Sequence, residues 1–335
     1  MTKTLQLFGR AIEPGSRHAF RAPVGEMNDG SPIAMPVLAL RGPRDGPTVV
    51  LSGAVHGDEF GGPIAIQQLF ASLDPKDLSG TLIGLPIMAP LAYFSRSRAN
   101  DLDYEHFNLN RLWPGDADAF QTQRIAHLVF GEVVRKADYL LDYHEGGVAF
   151  LARYLLLCGS EATIRKVGEK QVQMARWFGM GIPFAYRQTS EALVRVGKLG
   201  NLTEAAGQLG IPGISVELGG GGTYRRDFID VSIAGTRRVL QGAGLLAGGP
   251  PPPDPDQVMV RETTWLRPKR GGLLIPSDAA VLGSRIAAGT SLARIVDPLG
   301  EAVDDLVAPH DSVVLDIRLV ASVYPGDWTY HLAKL

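Results

Sequence analysis

One cysteine, Cys158, stands in the 335-residue chain, so no internal disulfide can form and a small cross-linked secreted fold is excluded. Neither sign of charge is in excess: 33 Lys and Arg face 35 Asp and Glu, a formal charge of −2. A general binder of nucleic acid or of anionic membranes would carry a basic surplus or stripe, and neither is present. No stretch approaches the roughly 18 consecutive apolar residues of a membrane-spanning helix. The opening MTKTLQLFGRAIEPG lacks the apolar core of a signal peptide. No repeat appears at solenoid periods. These absences predict a soluble protein of a reducing, cytoplasmic compartment whose partner is a small molecule.

What is present is 45% apolar and 20% charged, an ordinary globular balance. At about 100–200 residues per domain the length suggests two domains. Residues 248–256, GGPPPPDPD, can continue neither a helix nor a central strand and predict an extended linker. The expected division is a larger unit over 1–247, the linker, and a β-rich unit over 257–335 that caps the site.

In the larger unit, strand-like and helix-like patches alternate. Pro47–Ser52, Thr81–Met88, Tyr139–Tyr143 and Gly213–Leu218 are short apolar runs of strand type. Ile66, Leu69, Phe70 and Leu73 recur at helical spacing, as do Ile125, Leu128, Val129 and Val133. Ile164–Phe178 and Ile229–Leu246 are helical in pattern. The fold class this predicts is α/β: a mixed, largely parallel sheet with helices on both faces. Ligands in such sheets gather at the carboxyl ends of the strands.

Three of those ends carry chemistry. The first strand runs into His56-Gly57-Asp58-Glu59, the third into Asp142-Tyr143-His144-Glu145, and the fourth holds Glu217 before Gly219–Gly222. His56, Glu59 and His144 make a two-imidazole, one-carboxylate set, the type that holds a catalytic zinc and leaves a position for water. Glu217 would be the general base which that water needs. Each residue alone has a plainer reading: His144 as a hydrogen-bonded core histidine, Glu217 as a solvated turn residue. Their coincidence at predicted strand ends favours a shared site. Arg111, followed by Trp113-Pro114-Gly115, would present its guanidinium fork on a stiff turn, suited to a carboxylate or to a local acid such as Asp116.

Taken in order, His56-Gly57-Asp58-Glu59, Asn108-Leu109-Asn110-Arg111 with Pro114-Gly115, Asp142-Tyr143-His144 and Val216-Glu217 resemble the succinylglutamate desuccinylase/aspartoacylase family of zinc carboxypeptidase-like deacylases. The resemblance spans essentially the whole chain and implies one zinc ion per chain on His56, Glu59 and His144, with Glu217 as base. It implies that Arg98 polarises the scissile carbonyl, with Arg96 as a rival, and that Asn110 and Arg111 hold the substrate carboxylate. Glu145, acidic where many relatives carry a small or polar residue, would touch a basic substrate group or face solvent.

The C-terminal unit reads as all-β, with strand-like patches at Gly271–Pro276, Gly289–Val296 and Val303–Leu319. It looks like a barrel-sandwich module, but the turn Val307–Asp311 has no lysine to carry a prosthetic group, which argues against a carrier role. Tyr324, Trp328 and Tyr330 read as core packing or as a substrate entrance; His331 fits no ligand spacing and reads as structural. Tyr224 is a further candidate for substrate contact. The expected activity is hydrolysis of the amide of a small N-acyl amino acid or related acylated amine, and a homo-oligomer is compatible with it. The alternatives are a carboxypeptidase or peptide-fragment hydrolase, and a metal-binding protein without catalysis.

Overall fold

The computed structural model describes residues 5–188 and 200–335. Val49, Val50 and Leu51 are fully buried, because their strand, Arg44–Ser52, has neighbours on both edges and covered faces. It pairs in parallel with Ser79–Leu85 on one side and with Tyr139–His144 on the other. Gly213–Gly220 adds a fourth parallel member beside Tyr139–His144. These are the four apolar runs that the sequence marks as strands.

Antiparallel strands extend this centre at both edges. The hairpin Ser16–Glu26 with Pro32–Arg41 joins through Ser79–Leu85, and Phe150–Gly159 joins Gly213–Gly220. Helices Gly61–Ala71, Glu161–Phe178 and Arg226–Gly242 pack over one core. Gln121–Glu132 and Leu202–Gln208 cover another on the opposite side. The result is the mixed sheet with helices on both faces that the alternating pattern predicts.

Local signals set the helix ends. The Ser160 hydroxyl accepts from Thr163 N and caps Glu161–Phe178, and the Asn201 side chain caps Leu202–Gln208 through Glu204 N. Among the described residues no helix is long and apolar enough to cross a membrane.

Beyond the proline-rich stretch the chain forms a four-stranded sheet, in the order Ala302–Val307, Ser291–Val296, Gly272–Pro276 and Ser322–Val323, over its own small core. Five further strands belong to the main sheet, among them the short Met259–Val260 and Arg285–Ile286. Ser312–Arg318 pairs antiparallel with Phe150–Gly159, Tyr330–Lys334 pairs with Ser312–Arg318, and Thr263–Leu266 with Tyr330–Lys334. One hydrogen-bonded sheet thus runs from the parallel centre into the C-terminal strands.

Candidate metal centre and substrate cleft

His56 lies on a turn after the Arg44–Ser52 strand, and Gly57 lets that turn sit close to helix Pro90–Ser95. A Cβ on Gly57 would collide with the backbone carbonyl of Ala92, and Gly57 N donates to Ser97 O at 2.9 Å. His144 is the last residue of the strand Tyr139–His144. The three candidate ligands therefore meet although 85 residues separate Glu59 from His144. His56 Nδ1 is 2.7 Å from Glu59 Oε1, and His144 Nδ1 is 2.9 Å from Glu59 Oε2. Their donor atoms lie within 4.8 Å of one another, and all three residues are buried.

Outer contacts fix which ring nitrogens face inward. His144 Nε2 is 3.0 Å from Asp142 Oδ2, and Asp142 Oδ1 accepts from Ser52 Oγ at 2.6 Å. A proton on Nε2 shared with Asp142 leaves the Nδ1 lone pair pointing at Glu59, the arrangement by which carboxylates orient metal-binding histidines. Burial holds the His56 imidazole toward its neutral, ligating form. The Asp142 and Glu59 carboxylates outweigh burial at His144 and push its pKa up. Burial works against the Glu59 charge as well, but the two imidazoles hold its carboxyl below the usual range. Two imidazoles and a carboxylate, buried and converging, can hold a divalent metal ion.

Arg98 Nη1 reaches Glu59 Oε1 at 3.4 Å from an exposed loop position. Arg96, also exposed, ends helix Pro90–Ser95 in a left-handed conformation, φ 54°, and does not line the cleft in which Arg98 stands. Asn110 is buried, with Nδ2 3.4 Å from His144 Nε2 and Oδ1 accepting from Leu202 N at 3.3 Å. Arg111 is exposed and donates from Nη1 to Asn110 O. Gly115, at φ 84°, closes the turn behind them; a Cβ there would strike the backbone of helix Gln121–Glu132.

Glu217 is the register partner of His144 on one side and of Tyr154 on the other. Together with Arg98, Arg111 and Glu145 it lines a cleft of about 490 Å³. The far wall of that cleft carries Trp265, Asp316, Trp328 and His331, all from the C-terminal strands and their connections.

Several residues have roles that sequence reasoning missed. Glu145 does not face solvent: it is buried and lines the cleft. Its Oε2 accepts from Phe60 N at 3.1 Å and its Oε1 from Gly61 N at 2.8 Å, so it caps helix Gly61–Ala71, which has no side-chain cap of its own. Burial and the nearby Glu59 charge push its pKa up to about 8, although the two N–H groups oppose this. Asp142, quoted in the sequence only as part of a motif, orients His144. Of the aromatic candidates, Tyr330 is core, Trp328 lines the cleft, and Tyr324 is exposed outside it. Tyr224 is likewise exposed outside the cleft.

Comparison with known proteins places this geometry. Residues 45–243 match the succinylglutamate desuccinylase/aspartoacylase catalytic domain. The chain is 30% identical over 338 residues to the N-alpha-acetyl-L-2,4-diaminobutyric acid deacetylase of Halomonas elongata, covering 96% of this chain and 92% of that protein. Its fold is similar to that of a succinylglutamate desuccinylase/aspartoacylase from Rhodobacter sphaeroides, with a TM-score of 0.80, 24% identity and 95% of each chain covered. It is also similar to the product-bound ectoine utilization protein EutE (DoeB) from Ruegeria pomeroyi, with a TM-score of 0.81 and 23% identity, covering 96% of this chain and 95% of that one.

Proposed function

The chain belongs to the succinylglutamate desuccinylase/aspartoacylase family, and from that premise we propose that it is a zinc-dependent deacylase cleaving the amide of a small N-acyl amino acid. The observation that carries the reading is the buried His56–Glu59–His144 donor group, with Glu217 in register beside His144. The donor set fits zinc: two imidazole nitrogens and one carboxylate, with Asp142 behind His144 and the metal taking the place of any proton on His144 Nδ1. Zinc bound there would supply Lewis acidity and lower the pKa of a water toward about 7.

The chain's own residues do the rest. Glu217 takes the proton of the attacking water and returns it to the departing amine, since one group can serve as base and then as acid. Arg98 stands at the carboxylate end of the donor group, where its guanidinium stabilises the negative charge that grows on the carbonyl oxygen. Arg111 offers a fork to the substrate carboxylate. Asn110 assists it: His144 already directs Nε2 at Asp142, so the Asn110 amide N–H keeps hydrogen to offer. A cleft of about 490 Å³ suits an acylated amino acid. The diaminobutyrate deacetylase relative supports acetyl as the acyl group and an amino acid as the amine.

The test is metal analysis of the purified protein together with hydrolysis of a panel of N-acylated amino acids and of peptides. One equivalent of zinc and turnover confined to the acyl amino acids is the expected result. Peptide cleavage alone would make it a carboxypeptidase, and bound metal with no turnover of any amide would make it a binder.

A further inference from the structure

Along one face of the sheet the cross-strand register builds a continuous row. Trp265 is opposite His331, His331 is opposite Asp316, and Asp316 is opposite Ala152. Two residues further along the same strand, and so on the same face, Tyr154 is opposite Glu217. A bulge between Val314 and Asp316 shifts the register and brings Asp316 level with His331. The far wall of the cleft is thereby tied by backbone hydrogen bonds to the proposed base.

That wall has a built polar centre. His331 Nδ1 is 2.8 Å from Asp316 Oδ2, with both residues buried. The His331 ring stacks on Trp265 at 4.4 Å and 2°, Trp265 stacks on Trp328 at 4.8 Å, and Tyr154 meets His331 edge-on. The column fixes the imidazole plane, and a proton on Nδ1 shared with Asp316 leaves Nε2 as an acceptor. Asp316, His331 and Trp328 all line the cleft. Burial pushes the Asp316 carboxyl above its ordinary range even with His331 beside it, so a cationic partner there would relieve a real cost.

The geometry points to Asp316 and His331 as a specificity site for a cationic amino group carried by the substrate, so that the preferred substrates are N-acyl derivatives of amino acids with a short basic side chain. This rests on the deacylase reading above and goes further by assigning the far wall. A carboxylate at Arg111 and an ammonium at Asp316–His331 would orient the molecule from both ends. With strands about 4.8 Å apart and about 3.4 Å per residue, Asp316 lies two strands and two residues from Glu217, roughly 12 Å across the cleft floor. That separation, shortened by the side chains, suits an amine on a chain of a few carbons. Asp58 is the competing carboxylate, since its Oδ1 is buried without a partner among the described residues.

The experiment compares kcat and KM for Nα-acetyl-2,4-diaminobutyrate, Nα-acetylornithine, Nα-acetylnorvaline and Nα-acetylaspartate, using wild type and the Asp316→Asn, His331→Gln and Asp58→Asn variants. Wild type should prefer the basic substrates by about tenfold or more in kcat/KM. Asp316→Asn should erase that preference mainly through KM, lowering kcat/KM for the basic substrates about tenfold more than for acetylnorvaline. An equal loss on every substrate, a preference for acetylaspartate, or a preference erased by Asp58→Asn and kept in Asp316→Asn would each overturn the assignment. If no amide is turned over, the deacylase reading fails by itself. Calorimetric binding of 2,4-diaminobutyrate, weakened by Asp316→Asn, would then still support the site, and unchanged binding would overturn it. Thermal unfolding and far-UV spectra of the variants separate misfolding from lost recognition.

Discussion

Glu217 and His144 are direct partners in the parallel pairing of Gly213–Gly220 with Tyr139–His144. A proposed proton acceptor and a proposed metal ligand are thus set side by side by backbone hydrogen bonds. Substitution at Glu217 should therefore leave the ligand group intact. Glu217→Gln is expected to retain full zinc content while kcat falls by about 100-fold or more, as measured by metal analysis and steady-state kinetics on the same preparation. Near-wild-type kcat would remove Glu217 from the reaction.

His56→Ala combined with His144→Ala should abolish stoichiometric metal, because two of the three converging donors are gone. Full occupancy in the double variant would place the ligands elsewhere.

Asp142→Asn keeps the size of the residue behind His144 but weakens its hold on Nε2. Metal affinity should fall by about 10–100-fold, read from competition with a chromophoric chelator. An unchanged affinity would mean that Asp142 does not orient the ring.

Removing metal should expose its contribution to folding. With free metal at about 1,000 times its Kd, linkage adds about 4 kcal/mol to the stability of the native state. Dialysis against a chelator is expected to lower the unfolding midpoint, and added zinc to restore it. A midpoint indifferent to both would argue against a native-state metal site.

Glu145→Ala leaves the N–H groups of Phe60 and Gly61 without their acceptor at a half-buried helix start. The cost should be about 1–3 kcal/mol by denaturant titration. Glu145→Gln, which keeps an acceptor oxygen, should lose less; an Ala variant as stable as wild type would show that water replaces the cap.

Much of this arrangement was legible in the sequence, for identifiable reasons. The strands Arg44–Ser52, Ser79–Leu85, Tyr139–His144 and Gly213–Gly220 are buried on both faces over most of their length and so read as short, mainly apolar runs. The hairpin Ser16–Glu26 with Pro32–Arg41 did not stand out, because the polar residues of Ser16–Glu26 follow no regular period and Pro23, Pro32 and Pro36 look like breaks. Phe150–Gly159 is as apolar as its neighbours, but its antiparallel placement depends on partners far along the chain. His56, Glu59, His144 and Glu217 were visible because strand ends concentrate chemistry. Glu145 was visible as a residue and hidden as a role, since what it caps lies 84 and 85 residues away. His331 fits no ligand spacing because its carboxylate partner stands across a strand pair, brought level by a bulge that no sequence pattern announces.

The pairing of Ser312–Arg318 with Phe150–Gly159 has a consequence for anyone shortening the protein. A version ending at the proline-rich stretch would bare the flank of Phe150–Gly159 over the stretch that Ser312–Arg318 now covers, leaving unpaired amides and carbonyls as a template for neighbouring molecules. Such a fragment should clump during expression even with every proposed metal ligand in place.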